Sequence, residues 1–535
     1  MSDAATLVRA PAGPMAPFRH RAFTLLWIAT VASNIGTWMH DVGAGWLMTE
    51  LAPSPMMVAA VQAATTLPIF LFALIAGAVA DIVDRRQLLI WVNAVMGVAA
   101  LMMAALVHLG AMTPVLLLVF TFVFGTGTAF IAPAWQAIVP KLVPREDLSA
   151  AIALNSMGIN VSRAIGPALA GFLIVAAGIA VPFLVNAISV IGIIAALVWW
   201  RPEAVAPAAR PPERVGGAIL AGLRYAANSP ALKATLMRAV AFFLFASAFW
   251  AMLPLIAREV LSGGPTLYGL LLAAVGAGAV GGALVLPQIK ARLGADGTVA
   301  AGTLGTALTM VIMALVPSQA AAVAAAALAG LSWIAVLSSL NVSAQTALPD
   351  WVRARGLSVF LTVFFGSMSI GSLAWGQVAS VWGLEVTLIA AALGAAVLVP
   401  LTRQARLQMG ASQDLSPSMH WPEPVLVGDM PPDGPVMIQI AYDVAPGRER
   451  AFTAALRTLA ASRRRGGGYQ WSLMRDAAGE DRFVETWWEA SWLDHQRQHR
   501  RVSRDDQKLQ DEIRGLLKTD TEPVVRHFVT APDEA

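Results

Sequence analysis

Asp41 and Arg163 are ionisable residues set inside otherwise apolar runs. Holding a charge at membrane depth costs about 2.5–3.5 kcal/mol or more, so such a residue faces protein or water and carries a function or a partner. Helical rise sets their depth: at 1.5 Å per residue, Asp41 lies about 27 Å beyond Phe23 and Arg163 about 22 Å beyond Leu148. Both runs start from the same side, so the two side chains reach comparable depth and are placed to meet. A carboxylate there binds and releases a proton as the guanidinium withdraws or approaches, which is the chemistry of proton coupling. A static pair that only orders span packing is a second reading, and Asp41 reaching the outer surface is a third. His40 adjoins Asp41 but points about 100° away around a helix, which leaves it the weaker role of a relay.

Polar and aromatic residues inside the runs add a recognition surface: Trp38, Gln62, Trp135, Gln136, Asn155, Asn160, Asn186, Trp250, Asn341, Gln345 and Trp375. Amides hydrogen-bond a polar ligand and aromatic faces stack on it, which suits a catechol- or macrolide-like molecule. Taken singly, each also reads as an interhelical tie or an interface anchor.

The elements that must position these residues are runs of about 20 apolar residues, the length that crosses a hydrocarbon core about 30 Å thick. They read at 23–47, 57–80, 88–109, 114–139, 148–176, 181–200, 236–256, 267–286, 298–316, 320–347, 357–381 and 386–401. Composition agrees, because 57% of the 535 residues are hydrophobic and 13% charged, whereas a soluble domain carries charge on roughly a quarter. The charge is uneven: 37 of the 70 Asp, Glu, Lys and Arg residues lie from Arg406 onward. The chain therefore reads as a membrane body joined to a polar tail.

Twelve spans put both termini on one side, and basic residues decide which. Of the 20 Lys and Arg before Arg406, 18 go to one set of connecting segments, counting Arg238 at the edge of the run 236–256 with its loop, Arg258 alone to the other set, and Arg163 lies within a span. This predicts a multi-pass protein of the cytoplasmic membrane with cytoplasmic termini. Net charge of +4 over this length is too small for a nucleic-acid partner. The absence of cysteine excludes disulfides and thiolate metal sites. Residues 1–17 read as a disordered N-terminus, without the apolar run and small-residue cleavage site of a signal peptide.

Shifting the sequence by 209 residues superposes Gln136 on Gln345, Pro140 on Pro349, Val143 on Val352, Leu148 on Leu357 and Ser149 on Ser358. The matches fall at equivalent places after the fourth and tenth spans, so two six-span halves are expected, with a substrate site at their interface. The halves are residues 18–200 and 234–403, joined by a basic, Pro-rich cytoplasmic loop at 201–233.

After the second span the chain reads GAVADIVDRR, with Gly77, Asp81, Asp84, Arg85 and Arg86. This resembles the loop signature of the major facilitator superfamily, although Ile82 and Asp84 replace an Arg and a Gly common there. Glycine permits close helix approach, while Asp81 and the arginines pair with helix ends to latch one gate. In the fifth span, SRAIGPALAG with Gly166, Pro167 and Gly171 resembles the glycine–proline motif of the superfamily's exporters, a kinked and closely packed helix. The longer strings at 133–156, 221–239, 345–359 and 491–499 resemble the transmembrane secretion effector branch, which includes enterobactin exporters. The resemblance implies alternating-access export of a small amphipathic molecule, siderophore- or drug-like, driven by the proton gradient. Its partners would be that cargo, protons and the bilayer, with no cofactor.

Residues 404–434 read as a linker rich in Pro, Ser, Gly and Asp. Residues 435–535 then read strand, helix, strand, strand, helix, strand, with the second helix at 492–517. This βαββαβ order predicts a ferredoxin-like α+β domain. The expected fold is thus an all-α membrane transporter of twelve transmembrane helices in two six-helix halves, with that domain appended. The order also resembles small monooxygenase-type domains that pair through their sheets, so a membrane-anchored enzyme that modifies the cargo is one alternative, and a nontransporting sensor or scaffold is another. No convergent acid, base or cofactor set favours catalysis. His495 and His499 share a helix face at metal-ligand spacing, but two histidines without a third ligand read as a solvated face and not as a metal site. Trp471, Trp487 and Trp488 read as sheet-face packing or a pairing surface for self-association.

Overall fold

The computed structural model describes residues 13–201, 215–408, 414–421, 433–479 and 481–529. Among these described residues, ten helices are long and apolar enough to cross a membrane. In chain order they are α1 (Arg21–Leu51), α2 (Pro55–Ile82), α3 (Arg85–His108), α4 (Pro114–Ile138), α5 (Leu148–Ala177) and α6 (Val181–Trp199), then, after a shorter helix α7 (Val215–Asn228), α8 (Pro230–Leu255), α9 (Pro265–Leu315), α10 (Gln319–Thr346) and α11 (Arg353–Leu401). Their ends follow local chemistry. Pro55 and Pro114 open α2 and α4, where a missing N–H costs nothing. The Asp84 carboxylate accepts the Gln87 backbone N–H at 2.8 Å and caps α3.

Two helices are interrupted. Gly294 in α9 has φ 67° and Gly383 in α11 has φ 81°, a left-handed conformation that glycine adopts without steric cost. Each break falls between two of the expected runs, 267–286 and 298–316 in α9 and 357–381 and 386–401 in α11. One turn on, Thr298 and Thr387 donate to the carbonyls of Gly294 and Gly383 at 2.6 and 2.7 Å. At each point a single glycine kinks the chain, so each of these two helices covers two of the twelve runs that the hydropathy reads.

The chain divides into two compact units, one of Met1–Pro211, Met237–Leu340 and Leu361–Gln404, the other of Pro212–Leu236, Asn341–Phe360 and Ala405–Ala535. The first is the helical body. In it α1 packs on α5 and α6, α2 on α4, α3 on α4 and α6, and α5 on α9. Arg238, counted above among loop cations, is buried in α8 and pairs with Asp296 at 3.1 Å.

The second unit holds a four-stranded antiparallel sheet of β1 (Asp433–Asp443), β2 (Tyr469–Arg475), β3 (Arg482–Ser491) and β4 (Val524–Val529), in the order β2-β3-β1-β4. Its core lies between one sheet face and the helices α12 (Glu449–Gly466), α13 (Trp492–His499) and α14 (Arg504–Arg514), and is built from Val436, Ile438, Phe452, Leu456, Trp487 and Ile513 among others. Strand alternation sends Trp487 into this core and leaves Trp488 on the other face. The single helix expected at 492–517 is two, because Ser503 forms a capping box with Asp506 and restarts the helix.

The second unit also takes in segments the sequence assigns to the membrane body. The expected loop at 201–233 contains α7, which packs on α12. Tyr225 of α7 donates to the Ala347 carbonyl at 3.0 Å, and the Arg465 and Arg501 guanidinium groups lie over Tyr225 and Trp351. Of the expected disordered N-terminus, residues 1–12 lie outside the described residues, while Ala16 and Pro17 are buried in a 3₁₀ turn. Residues 409–413 and 422–432 of the expected linker likewise lie outside them.

Candidate functional site

The helical body holds a cavity of about 240 Å³ lined by residues of α1, α2, α5 and α8–α11. α1 contributes Trp38 and Asp41, α2 Gln62 and Thr66, and α5 Arg163; facing them are Trp250 of α8, Tyr268 of α9, Trp333 of α10 and Phe364 of α11. One wall therefore carries the charged and amide groups and the other is aromatic. Trp333 ties that aromatic wall together, with ring centroids 5.1 Å from Trp250, 5.4 Å from Phe243 and 6.1 Å from Phe364. Such a pairing of faces fits a ligand that is apolar on one side and hydrogen-bonding on the other.

Asp41 and Arg163 line the same cavity without forming an ion pair. The Arg163 guanidinium lies over the Trp38 ring instead, 5.4 Å from its centroid, and its Nε has no hydrogen-bond partner among the described residues. Gly166 makes room for Trp38: a Cβ at Gly166 would lie 2.5 Å from the Trp38 Cβ. His40 points away from the cavity. It is buried at 1% exposure between Phe124 and Phe183, with ring centroids 3.9 and 5.1 Å away. Neither ring nitrogen is hydrogen-bonded among the described residues.

Of the recognition residues read from the sequence, Trp38, Gln62 and Trp250 line the cavity and the others do not. Trp135 donates to Asn155 Oδ1 at 3.1 Å, tying α4 to α5, and Trp375 donates to the Leu244 carbonyl at 2.9 Å, tying α11 to α8. Asn160 donates to the Ser156 carbonyl, and Asn186 is buried against Gly36 of α1. Gln136 and Gln345, matched by the repeat, are both exposed near the C-terminal ends of α4 and α10, and Gln345 donates to Asn341. Their equivalence is positional and not a shared place in the cavity. Tyr268, Trp333 and Phe364 went unread because an aromatic residue in an apolar run carries no signal of which way it faces.

α5 and α9 meet closely at the end of the bundle that holds the C-terminus of α1 and the N-terminus of α9. A Cβ at Gly269 would lie 2.5 Å from the Pro167 carbonyl oxygen, and one at Gly171 would lie 2.7 Å from that of Pro265. The glycine–proline motif of α5 thus lets α5 and α9 pack backbone to backbone. At the same end Arg258 donates to Thr49, Ser380 Oγ accepts the Met56 backbone N–H at 3.1 Å, and Trp46 stacks near Tyr268.

At the opposite end lies the gate motif. Arg86 donates to the Leu197 and Val198 carbonyls at 2.7 and 2.9 Å, closing the C-terminus of α6, and Arg85 donates to the Ala80 carbonyl at 3.0 Å. Asp84 caps α3, and the helix position of Gly77 is open. The expected role of Asp81 falls on a side chain outside the described residues.

A second cavity, of about 440 Å³, lies within the sheet domain. Arg463 is buried beside Glu485, Nε to Oε1 3.3 Å, and Tyr442 donates to the same carboxylate at 2.9 Å. Burial opposes the Arg463 charge, but Glu485, Tyr442 and Glu489 together outweigh it and hold the guanidinium above its usual range. Burial, then the Glu485 charge, raises the Tyr442 phenol. His495, expected on a solvated face, is 1% exposed; its Nδ1 lies 3.1 Å from Glu489 Oε2 and its Nε2 3.2 Å from His499 Nε2. The third histidine, His527, comes from β4, distant in sequence, with its ring centroid 4.7 Å from that of His495. Burial and the neighbouring His495 lower His527 to about 4.

Comparison with known proteins adds the family. The model of a family described as transmembrane secretion effector matches residues 12–534. The multidrug efflux pump Tap of Mycolicibacterium fortuitum is 24% identical over 380 residues, covering 69% of this chain and 92% of Tap. The enterobactin exporter EntS of Citrobacter koseri is 25% identical over 342 residues, 63% of this chain and 80% of EntS. The staphyloferrin A transporter of Staphylococcus aureus is 28% identical over 155 residues, and the match spans 29% of this chain and 39% of that protein's length. Among solved structures, an inward-facing bacterial homologue of the iron transporter ferroportin aligns with TM-score 0.56 at 16% identity, over 71% of this chain and 98% of the other. An inward-facing bacterial homologue of the lysosomal transporter Spinster aligns with TM-score 0.55 at 15% identity, over 73% and 98%.

Proposed function

We propose, from the premise that this chain belongs to the transmembrane secretion effector family of the major facilitator superfamily, that it is a secondary transporter which exports a small amphipathic molecule by proton antiport. The observation that carries this reading is the cavity between the halves, where Asp41 and Arg163 face an aromatic wall. Relatives that export siderophores and drugs support the cargo class. In this reading the chain crosses the cytoplasmic membrane twelve times with both termini in the cytoplasm. The glycine-packed end of the bundle is then the outer end, and the structure is a state closed to the outside. Asp41 carries the proton, and cargo and proton compete for the cavity as the halves rock about it.

The tail's element order and its β2-β3-β1-β4 sheet support a ferredoxin-like domain. The sheet face that carries Met437, Trp488 and Phe528 in register suits self-association with a second copy. Cargo class and coupling are tested together by accumulation assays in cells lacking their own exporters, with a catecholate siderophore and a macrolide as probes. Expression should lower accumulation of at least one probe in a protonophore-sensitive way, and Asp41→Asn, inserted at equal level, should abolish the effect. Export by Asp41→Asn at the wild-type rate would remove the proton role from Asp41.

A further inference from the structure

Three imidazoles converge in the sheet domain from two elements, and their arrangement goes beyond the transport reading. His495 and His499 sit one turn apart on α13, and His527 faces them from β4. One nitrogen from each lies within 4.8 Å of the other two. The most buried of the three is also the most firmly oriented. Glu489, 2% exposed, accepts the Trp487 indole N–H through Oε1 at 2.8 Å and offers Oε2 to His495 Nδ1 at 3.1 Å. That acceptor keeps the proton of neutral His495 on Nδ1, so the Nε2 lone pair points at His499. A carboxylate behind a histidine is the usual way a metal-ligating imidazole is held in its tautomer and orientation.

The spacing agrees. Imidazole nitrogens bind zinc-like ions at about 2.0–2.1 Å. Two nitrogens 3.2 Å apart, as His495 and His499 Nε2 are, then subtend an angle of about 100° at a shared ion, close to tetrahedral. All three histidines border the 440 Å³ cavity, which leaves a fourth coordination position open to a water. An all-imidazole set, in a chain without cysteine, suits zinc, cobalt or nickel and not magnesium or calcium. We propose that His495, His499 and His527 bind one divalent transition-metal ion in the C-terminal domain.

The test uses the tag-free full chain in detergent, stripped with chelator and titrated with Co²⁺. About one Co²⁺ per chain should bind, with the visible absorption of a low-coordinate site, and an equivalent of Zn²⁺ should displace it. His499→Gln and His527→Gln should each weaken binding at least tenfold, and Glu489→Gln by about 10- to 100-fold. His420→Gln borders the same cavity but is held by Ser418 and Gln510, and should leave affinity unchanged. No uptake above that of a Mg²⁺ control, or uptake that survives both His499→Gln and His527→Gln, would overturn the proposal. A measurement on the wild-type chain guards against unfolded variants: Zn²⁺ should protect His499 and His527 from diethylpyrocarbonate, and equal labelling with and without Zn²⁺ would overturn it too.

Discussion

Trp38 shows how much one residue depends on its neighbours. Gly166 gives it room, Arg163 lies over its ring, and its indole faces the cavity. Asp41 and Arg163 were legible in the sequence because a charge inside an apolar run needs a reason. The amides were not, since an asparagine that ties two helices and one that touches cargo look alike until their partners are known, as Asn155 and Asn186 show. His495 was misread for a related reason: its partners Glu489 and His527 come from other elements, and only folding brings them to it. In the same domain the buried Arg463–Glu485 pair makes a residue-level prediction. Arg463→Met leaves a carboxylate uncompensated in the core and should destabilise the sheet domain by about 3–5 kcal/mol. Intrinsic fluorescence of the domain's tryptophans during urea unfolding would read this, and an unchanged midpoint would show that the pair contributes nothing.

At the scale of elements, α5 and α9 approach each other backbone to backbone, a contact that in the proposed transport cycle closes one end of the bundle. Side chains are absent where the backbones approach, at Gly171, Gly269 and Gly276, so closure there has no tolerance for bulk. Gly269→Leu should hold that end open. Because the chain has no cysteine, a single Ser380→Cys beside Met56 reports the change, and a membrane-impermeant maleimide should label it at least about fivefold faster in the Gly269→Leu background. Equal rates would mean that the glycine contact does not govern closure. Run length and spacing made the membrane helices legible to within a few residues, and the gaps at 287–297 and 382–385 marked the breaks at Gly294 and Gly383. α7 was missed because its short, alanine-rich sequence lies next to a Pro-rich stretch and lacks the length of a span. The division of the tail's second helix was missed because Ser503 and Asp506, which restart it, read in sequence as ordinary polar surface.

At the scale of the molecule, the polar C-terminal quarter, from Arg406 onward, follows the helical body in the chain. The family match extends from residue 12 to residue 534 and so includes it, yet the cavity that carries the transport proposal is lined by residues no later than Met368. A stop codon after Arg406 should therefore leave measurable export. The rate should fall, because α7 and the 341–360 segment lose the partners they pack against in the second unit. Complete loss of export in a truncated chain that still inserts would give the tail an essential role. The most direct measurement of the whole account is cargo-driven proton movement in proteoliposomes holding a pH-sensitive dye. An imposed cargo gradient should drive protons in the opposite direction through the wild-type chain, while Asp41→Asn, reconstituted at equal density, should move none. Cargo flux with no proton movement in the wild type, or proton movement that persists in Asp41→Asn, would contradict it.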